Sequence, residues 1–191
     1  MSLANQHETS DLPGEANASM GNLIDGKKDL EETNSPGTFQ YITFTVNKEE
    51  YGIDIMSVLE IKGWTETTRL PNQPDYLRGV LNLRGAIVPI IDLRHRFGGG
   101  HTEASSINVV IIVSIEGRYI GILVDAVSDI LTVSKNDIQE VPNVDGSSRE
   151  NFLSGLVTLN DRMVAILELS QLRAGTDIDI EDLSKNSDEE N

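Results

Sequence analysis

The middle of this chain is written twice, and no other feature limits its fold as much. Sliding the sequence by 69 residues lays Ile42 on Ile111, Gly52 on Gly121, Ile53 on Ile122 and Ile61 on Ile130, with acidic Glu60 on acidic Asp129. Further along, the offset becomes 76. Leu77-Arg78-Gly79-Val80 then meets Leu153-Ser154-Gly155-Leu156, Ile90 meets Ile166, and Asp92 meets Glu168. The Arg84-Gly85 pair falls on Asn160-Asp161, and both pairs suit the left-handed backbone of a tight hairpin. The change of offset is a seven-residue insertion in the second copy. Each copy, of roughly 65 residues, is marginal in size by itself. Two copies of that length are too few and too long for a solenoid.

Within the copies the apolar residues recur with period two. Gln40, Ile42, Phe44 and Val46 share one face of a strand. Further strands are expected over Tyr51 to Ile55, Val80 to Leu83, Ile87 to Ile91, Ile107 to Ile115, Tyr119 to Val124, Leu153 to Leu159 and Met163 to Leu169. Turns are expected at Asn47-Lys48, Arg84-Gly85, Gly98-Gly99-Gly100, Glu116-Gly117 and Asn160-Asp161. Short strands with frequent turns predict an all-β barrel or sandwich. Proline at a first helical position predicts one helical turn at Pro74 to Arg78, and a second is expected over Ser170 to Ala174. The expected fold is all-β: two five-stranded barrel halves, about 39–106 and 107–174, packed side by side within a domain spanning 39–174.

The formal net charge is −16. Residues 1–38 and 173–191 each hold seven acids against two bases, so each end contributes −5. Both are rich in small polar residues and poor in aromatic and β-branched ones, which predicts disordered arms over 1–38 and 175–191. Asp177, Asp179 and Glu181 alternate like metal ligands, but they lack the glycine turn and spaced terminal glutamate of a calcium loop. A fragment spanning 39–174 is therefore expected to fold and to bind its partners with nearly unchanged affinity. A tenfold loss, about 1.4 kcal/mol, would show that an arm contributes to binding directly.

Composition also excludes classes of function. No basic stripe is present to displace phosphate counterions, which argues against nucleic acid. No apolar run approaches the ~18 residues that span a bilayer, and the acidic surface disfavours anionic lipid. Residues 1–10 carry no apolar core of a secretory signal. The simplest reading is a soluble cytoplasmic protein with no direct membrane insertion. With no cysteine, disulfides, thiolate nucleophiles and cysteine metal sites are ruled out together.

Little in the sequence suggests catalysis. His7 lies in the amino-terminal arm, His95 stands between Arg94 and Arg96, and His101 follows a glycine run. There is no histidine pair at zinc spacing and no Gly-x-Ser-x-Gly elbow. Gly98-Gly99-Gly100 fits neither a Rossmann nor a P-loop fingerprint. Asp54 and Asp125 could form a glycosidase-like carboxylate pair. Each, however, ends a strand at a similar place in its copy, which suits a cap or turn. Asp92 suits a local ion pair or turn. No catalytic residue, metal or cofactor is expected.

Several stretches resemble one known family. Tyr51-Gly52-Ile53-Asp54-Ile55 followed by Val58-Leu59-Glu60-Ile61 resembles the opening of the CheW family. The block from Gly79 to Arg94, GVLNLRGAIVPIIDLR, is the most specific part of the resemblance. Gly121 to Leu131, Gly155-Leu156 and Asp161-Arg162-Met163 extend it, so that it covers about 39–172. The resemblance implies two SH3-like five-stranded barrels and no catalytic activity. It implies an adaptor that couples the signalling tip of methyl-accepting chemoreceptors to the regulatory domain of the CheA histidine kinase. It also implies recruitment to membrane-associated receptor arrays and self-association in rings.

Residue by residue, Val58 and Arg84 match positions linked to receptor coupling, and Val109 and Val110 match positions lining the receptor groove. Ile55 and Glu60 match positions near a kinase contact in the first half. Val141, Pro142 and Val144 lie where the second half meets the kinase. There the sequence departs from the family form, with Gln139 in place of an arginine and Val144 in place of an aromatic. A core role competes with a binding role at Val58, Val109 and Val110, and a solvated-face role competes at Glu60. At Arg84, on a hairpin tip, the alternative is an idle surface charge. A kinase regulatory piece, an adaptor–receiver fusion and a small carboxylate hydrolase are the competing functions. No phosphotransfer domain, nucleotide site or receiver pattern is visible in the 191 residues.

Overall fold

In a computed structural model, residues 37–142, 150–159 and 161–173 are described. The first copy supplies β1 (Thr38–Val46), β2 (Glu49–Asp54), β3 (Val58–Gly63), β4 (Leu77–Leu83) and β5 (Ala86–Asp92). The second copy supplies β6 (Val109–Ile115), β7 (Arg118–Val124), β8 (Ala126–Ser134), β9 (Ile138–Gln139), β10 (Leu153–Leu159) and β11 (Arg162–Leu167). Two short helices, α1 (Leu93–Arg96) and α2 (Leu169–Arg173), follow the last strand of each copy. The domain starts a residue earlier than expected, because Thr38 already pairs with Ser134. The arms before residue 37 and after 173, and Asn160 of the last hairpin, lie outside the described residues.

The hairpins form where the sequence places them. Asn47 and Lys48 have φ of 52° and 69°, Arg84 and Gly85 52° and 93°, and Glu116 and Gly117 50° and 80°. Two successive left-handed residues define the type I′ turn, whose twist matches that of paired strands. The helical turn expected at Pro74 to Arg78 is not a helix. One hydrogen bond, Leu77 N–H to the Pro74 carbonyl at 2.9 Å, closes it, and β4 begins at Leu77. The proline there sets a turn, not a helix start.

The expected division into halves 39–106 and 107–174 is corrected by the strand order. One sheet runs β8-β1-β2-β11-β10-β9 and the other β3-β6-β7-β5-β4. Barrel I thus takes its first two strands from copy one and the rest from copy two, and barrel II does the reverse. The cause lies in the link after the second strand. Asp54 accepts the Met56 N–H at 2.9 Å and caps a 3-10 turn over Ile55–Ser57. That turn carries the chain from β2 in barrel I to β3 in barrel II. Asp125 occupies the corresponding link in copy two and accepts the Asn47 N–H at 2.7 Å. Parallel pairings of β2 with β11 and of β7 with β5 then join the copies.

Each barrel closes through a short pairing. In barrel I, β9 pairs with β10 through Gln139 and Leu156. In barrel II, Thr68 bridges Val80. The neighbouring Gly79 has φ of +126°, and a Cβ there would collide with the Thr68 carbonyl that the bridge uses. Glycine is therefore required for closure as well as for backbone freedom.

The largest apolar cluster lies between the barrels. Phe44, Ile53, Ile91, Ile111, Ile122 and Leu172 are fully buried in it. Smaller clusters fill barrel I (Tyr41, Leu131, Val157, Val164, Ile166) and barrel II (Val88, Ile90, Val110, Ile112, Leu123). Strand β6 feeds both layers: Ile111, Val113 and Ile115 face the shared core, while Val110 and Ile112 face into barrel II. Burial on both faces explains why Val109 to Val113 is a continuous apolar run.

Candidate interaction surface

Arg84 stands at the tip of the β4–β5 hairpin. Asn82 Oδ1 accepts the Gly85 N–H at 2.8 Å and fixes the turn. The Arg84 side chain is 85% exposed, and its Nη2 lies 3.3 Å from Oε2 of Glu60 on β3. The sequence reading assigned these two residues to different partners. The structure brings them into one ion pair. The pair is largely solvated and contributes little to stability, so the guanidinium remains available to a partner.

Apolar side chains are also exposed on this part of the molecule. Leu59 and Ile61 on β3, Met56 on the preceding turn and Ile87 on β5 are all exposed. Leu59 and Ile61 alternate with half-buried Val58 and Glu60, so the outward face of β3 is greasy where water would favour polar side chains. This group was not singled out from the sequence. Its signal is the stretch V-L-E-I, which is apolar at both parities around one charge.

Ile55, Val58 and Val109 are partly buried and pack on the shared core. Val109 pairs with Gly63 at the far end of β3. Val110 has no exposed surface and fills barrel II. It is a packing residue, and its assignment to a groove is corrected on that ground. Val141 is half-buried and Pro142 exposed, just beyond β9 of barrel I. Val144 lies outside the described residues.

The ionisable groups serve the fold. Asp54 and Asp125 each accept a backbone N–H, and Asp92 caps α1 through the His95 N–H at 3.2 Å. The rings of His95 and His101 stack at 4.0 Å on one another, not on a nucleophile. Among the described residues, no group of three or more His, Cys, Asp or Glu is placed to hold a metal ion, and no helix is long and apolar enough to cross a membrane.

Comparison with known proteins agrees with this architecture. The profile of the CheW-like domain matches residues 40–175. The chain is 40% identical over 141 residues to a probable chemotaxis protein CheW of Rhizobium etli, covering 74% of this chain and 91% of that protein. It is 38% identical over 143 residues to the chemotaxis protein CheW of Klebsiella aerogenes, covering 75% and 86%. The crystal structure of the scaffolding protein TtCheW from Thermoanaerobacter tengcongensis superposes with a TM-score of 0.65 at 34% identity. It covers 72% of this chain and 88% of that one.

Proposed function

From the premise that the chain belongs to the CheW-like domain family and shares its scaffold role in chemotaxis, we propose that it couples methyl-accepting chemoreceptors to the CheA histidine kinase in the cytoplasm, without catalysis of its own. The observation that carries this reading is the exposed Arg84 fork at the tip of the β4–β5 hairpin, 3.3 Å from Glu60 of β3. A guanidinium offers planar, paired donors to a partner's carboxylate or carbonyl groups. Arg84, Val58 and Val109 form the receptor side of the proposal. Ile55, Glu60, Val141, Pro142 and Val144 form the kinase side. Recruitment to receptor arrays and contacts between copies follow from the same reading.

Arg84→Ala tests it. The second copy pairs β10 with β11 across the matching two positions, Asn160-Asp161, with no arginine in them, so the fold does not need the charge. The melting temperature should stay within a few degrees, because surface changes usually fall within about 0.5 kcal/mol. Receptor affinity should drop by about 2 kcal/mol, the scale of a hot-spot arginine. Kinase affinity should change by less than about 0.5 kcal/mol, since Glu60 loses only an exposed ion pair. Arg84→Lys should be intermediate, keeping the charge but not the fork. Both bindings are to be measured on the same purified variant. Equal weakening of the two, or unfolding, would make Arg84 a structural residue.

A further inference from the structure

We propose that two copies of this chain exchange halves to form a dimer, residues 37–102 of each folding onto residues 108–173 of the other, with the link 103–107 as the hinge. The pairings that hold the monomer supply the surface. Strands β1 with β8, β2 with β11, β3 with β6 and β5 with β7 all join the first copy to the second. The largest apolar cluster draws Phe44, Ile53 and Ile91 from one copy and Ile111, Ile122 and Leu172 from the other. Only the stretch between α1 and β6 ties these halves covalently. A half from another chain therefore meets the same strands and the same core, and such exchange is a low-cost route to a dimer. It differs from contact between the outer faces of two folded copies.

The link is where the structure departs from the sequence pattern. The apolar run predicts a strand from Ile107, yet β6 begins at Val109. A turn intervenes, and its bonds are local. The Asn108 N–H donates to the Ser105 carbonyl at 3.0 Å, and Asn108 Oδ1 accepts the Ser105 N–H at 2.8 Å and the Ser105 hydroxyl at 3.3 Å. The ends of the link are anchored to opposite halves. Thr102 is held by Asp92 of the first copy, and Asn108 Nδ2 donates to the Val124 carbonyl of the second at 3.4 Å. Between them Glu103, Ser105, Ser106 and Ile107 are exposed, Ile107 by 80%. Straightening the link gives up the Ser105–Asn108 bonds and lets the strand run on from Ile107. In a symmetric dimer the two straightened links cross at the two-fold axis, where the Ile107 side chains cover one another.

Because the contacts are replaced one for one, the monomer is favoured chiefly by the closeness of its own second half. A short link gives an effective concentration in the mM range, so the dimer competes when chains refold near that concentration. Reversal requires unfolding, which keeps the two forms apart once made. Each dimer carries two complete Arg84 surfaces and so joins two partners that the monomer binds singly.

The chain has no cysteine, which makes the test direct. Gln40→Cys and Thr132→Cys face one another on β1 and β8, at a spacing that a disulfide fits. In the monomer the bond closes within one chain; in the exchanged dimer it closes between two. The full chain with this pair is refolded under reducing conditions at about 10 µM and at about 1 mM, below and near the effective concentration of the link. Both samples are then diluted alike, oxidised and separated under non-reducing, denaturing conditions. The ratio of covalent dimer to monomer should rise by up to about a hundredfold, as mass action requires. A control pair within the second copy, Ser114→Cys with Tyr119→Cys, should stay intrachain at both concentrations. Adding Ile107→Ser to the first pair should lower the ratio at the higher concentration at least about fivefold, with the melting temperature of the monomer unchanged. Thr38→Cys with Ser134→Cys, also opposite on these strands, repeats the measurement should the first pair not fold. Intrachain bonds alone at both concentrations would overturn the proposal. So would interchain bonds in the control pair, the mark of non-specific association, or a ratio indifferent to Ile107→Ser.

Discussion

Residues 107–174 expressed alone are expected to show no cooperative unfolding transition and to aggregate. The cut passes through both barrels. Strands β6 and β7 lose β3, β4 and β5, while β8 to β11 lose β1 and β2. Phe44, Ile53 and Ile91 also leave the shared core. Each such side chain contributes roughly 1.5–3 kcal/mol when buried, against a total stability of about 5–15 kcal/mol for a whole domain. One escape is open in principle. Strands β6 and β7 could fold back and take the places of β1 and β2, giving a single unswapped barrel. Packing opposes this, because β6 points Val110 and Ile112 inward where β1 offers Tyr41 and Thr43. The face of β6 carrying Ile111, Val113 and Ile115 would also stand in water. Mixing residues 37–106 with 107–174 should restore one cooperative transition, seen by circular dichroism, in a 1:1 complex, seen by sedimentation. A monomeric 107–174 that melts cooperatively would show that each copy is a domain by itself.

That exchange of strands is the part of the fold the sequence does not reveal, and the reason is symmetry. Because the copies share one apolar pattern, β1 and β2 meet similar neighbours whichever copy supplies the remaining strands. Hydrophobic period, turn chemistry and glycine placement are the same in both arrangements. The hairpins were legible because Asn47-Lys48, Arg84-Gly85 and Glu116-Gly117 each contain an Asn or Gly that tolerates a left-handed backbone, and both residues of each pair adopt one. Strands β3 and β8 are missing from the period-two pattern for a physical reason. Their outward faces carry Leu59, Ile61 and Ile130, so apolar and polar residues do not alternate cleanly. That same irregularity leaves apolar side chains exposed, and it was readable only once the faces were known. Val110 misled for the opposite reason. In a strand buried on both sides, no alternation tells a groove residue from a core residue, and the burial of Val110 in barrel II decides it.

Asp92→Ala is expected to be the most destabilising of the single substitutions considered. Asp92 is fully buried at the end of β5. It accepts the Thr102 N–H at 2.8 Å, the Thr102 hydroxyl at 2.7 Å and the His95 N–H at 3.2 Å. Its Oδ2 lies 3.5 Å from Nη1 of Arg78, whose side chain is only 20% exposed. Arg78 also donates to the Thr102 carbonyl at 2.9 Å and lies over the Trp64 ring. Alanine would leave two backbone donors and a hydroxyl unpaired, and a largely buried guanidinium without its counter-charge. Breaking one side of a buried pair destabilises by roughly 3–5 kcal/mol, which lowers the melting temperature by about 10 °C for a chain of this size. Asp92→Asn keeps one acceptor oxygen and should lose about half as much. The repeat mate, Glu168, provides the comparison. It is exposed and accepts the hydroxyl of Ser170 beside it at 2.7 Å and the Ser170 N–H at 3.3 Å. Glu168→Ala should therefore shift stability by no more than about 0.5 kcal/mol. Thermal melts of the three variants decide the matter. Equal shifts at Asp92 and Glu168 would mean that the repeat position matters and the buried network does not. A large shift at Asp92 alone would place the stability in the contacts that tie the loop around Thr102 to β5.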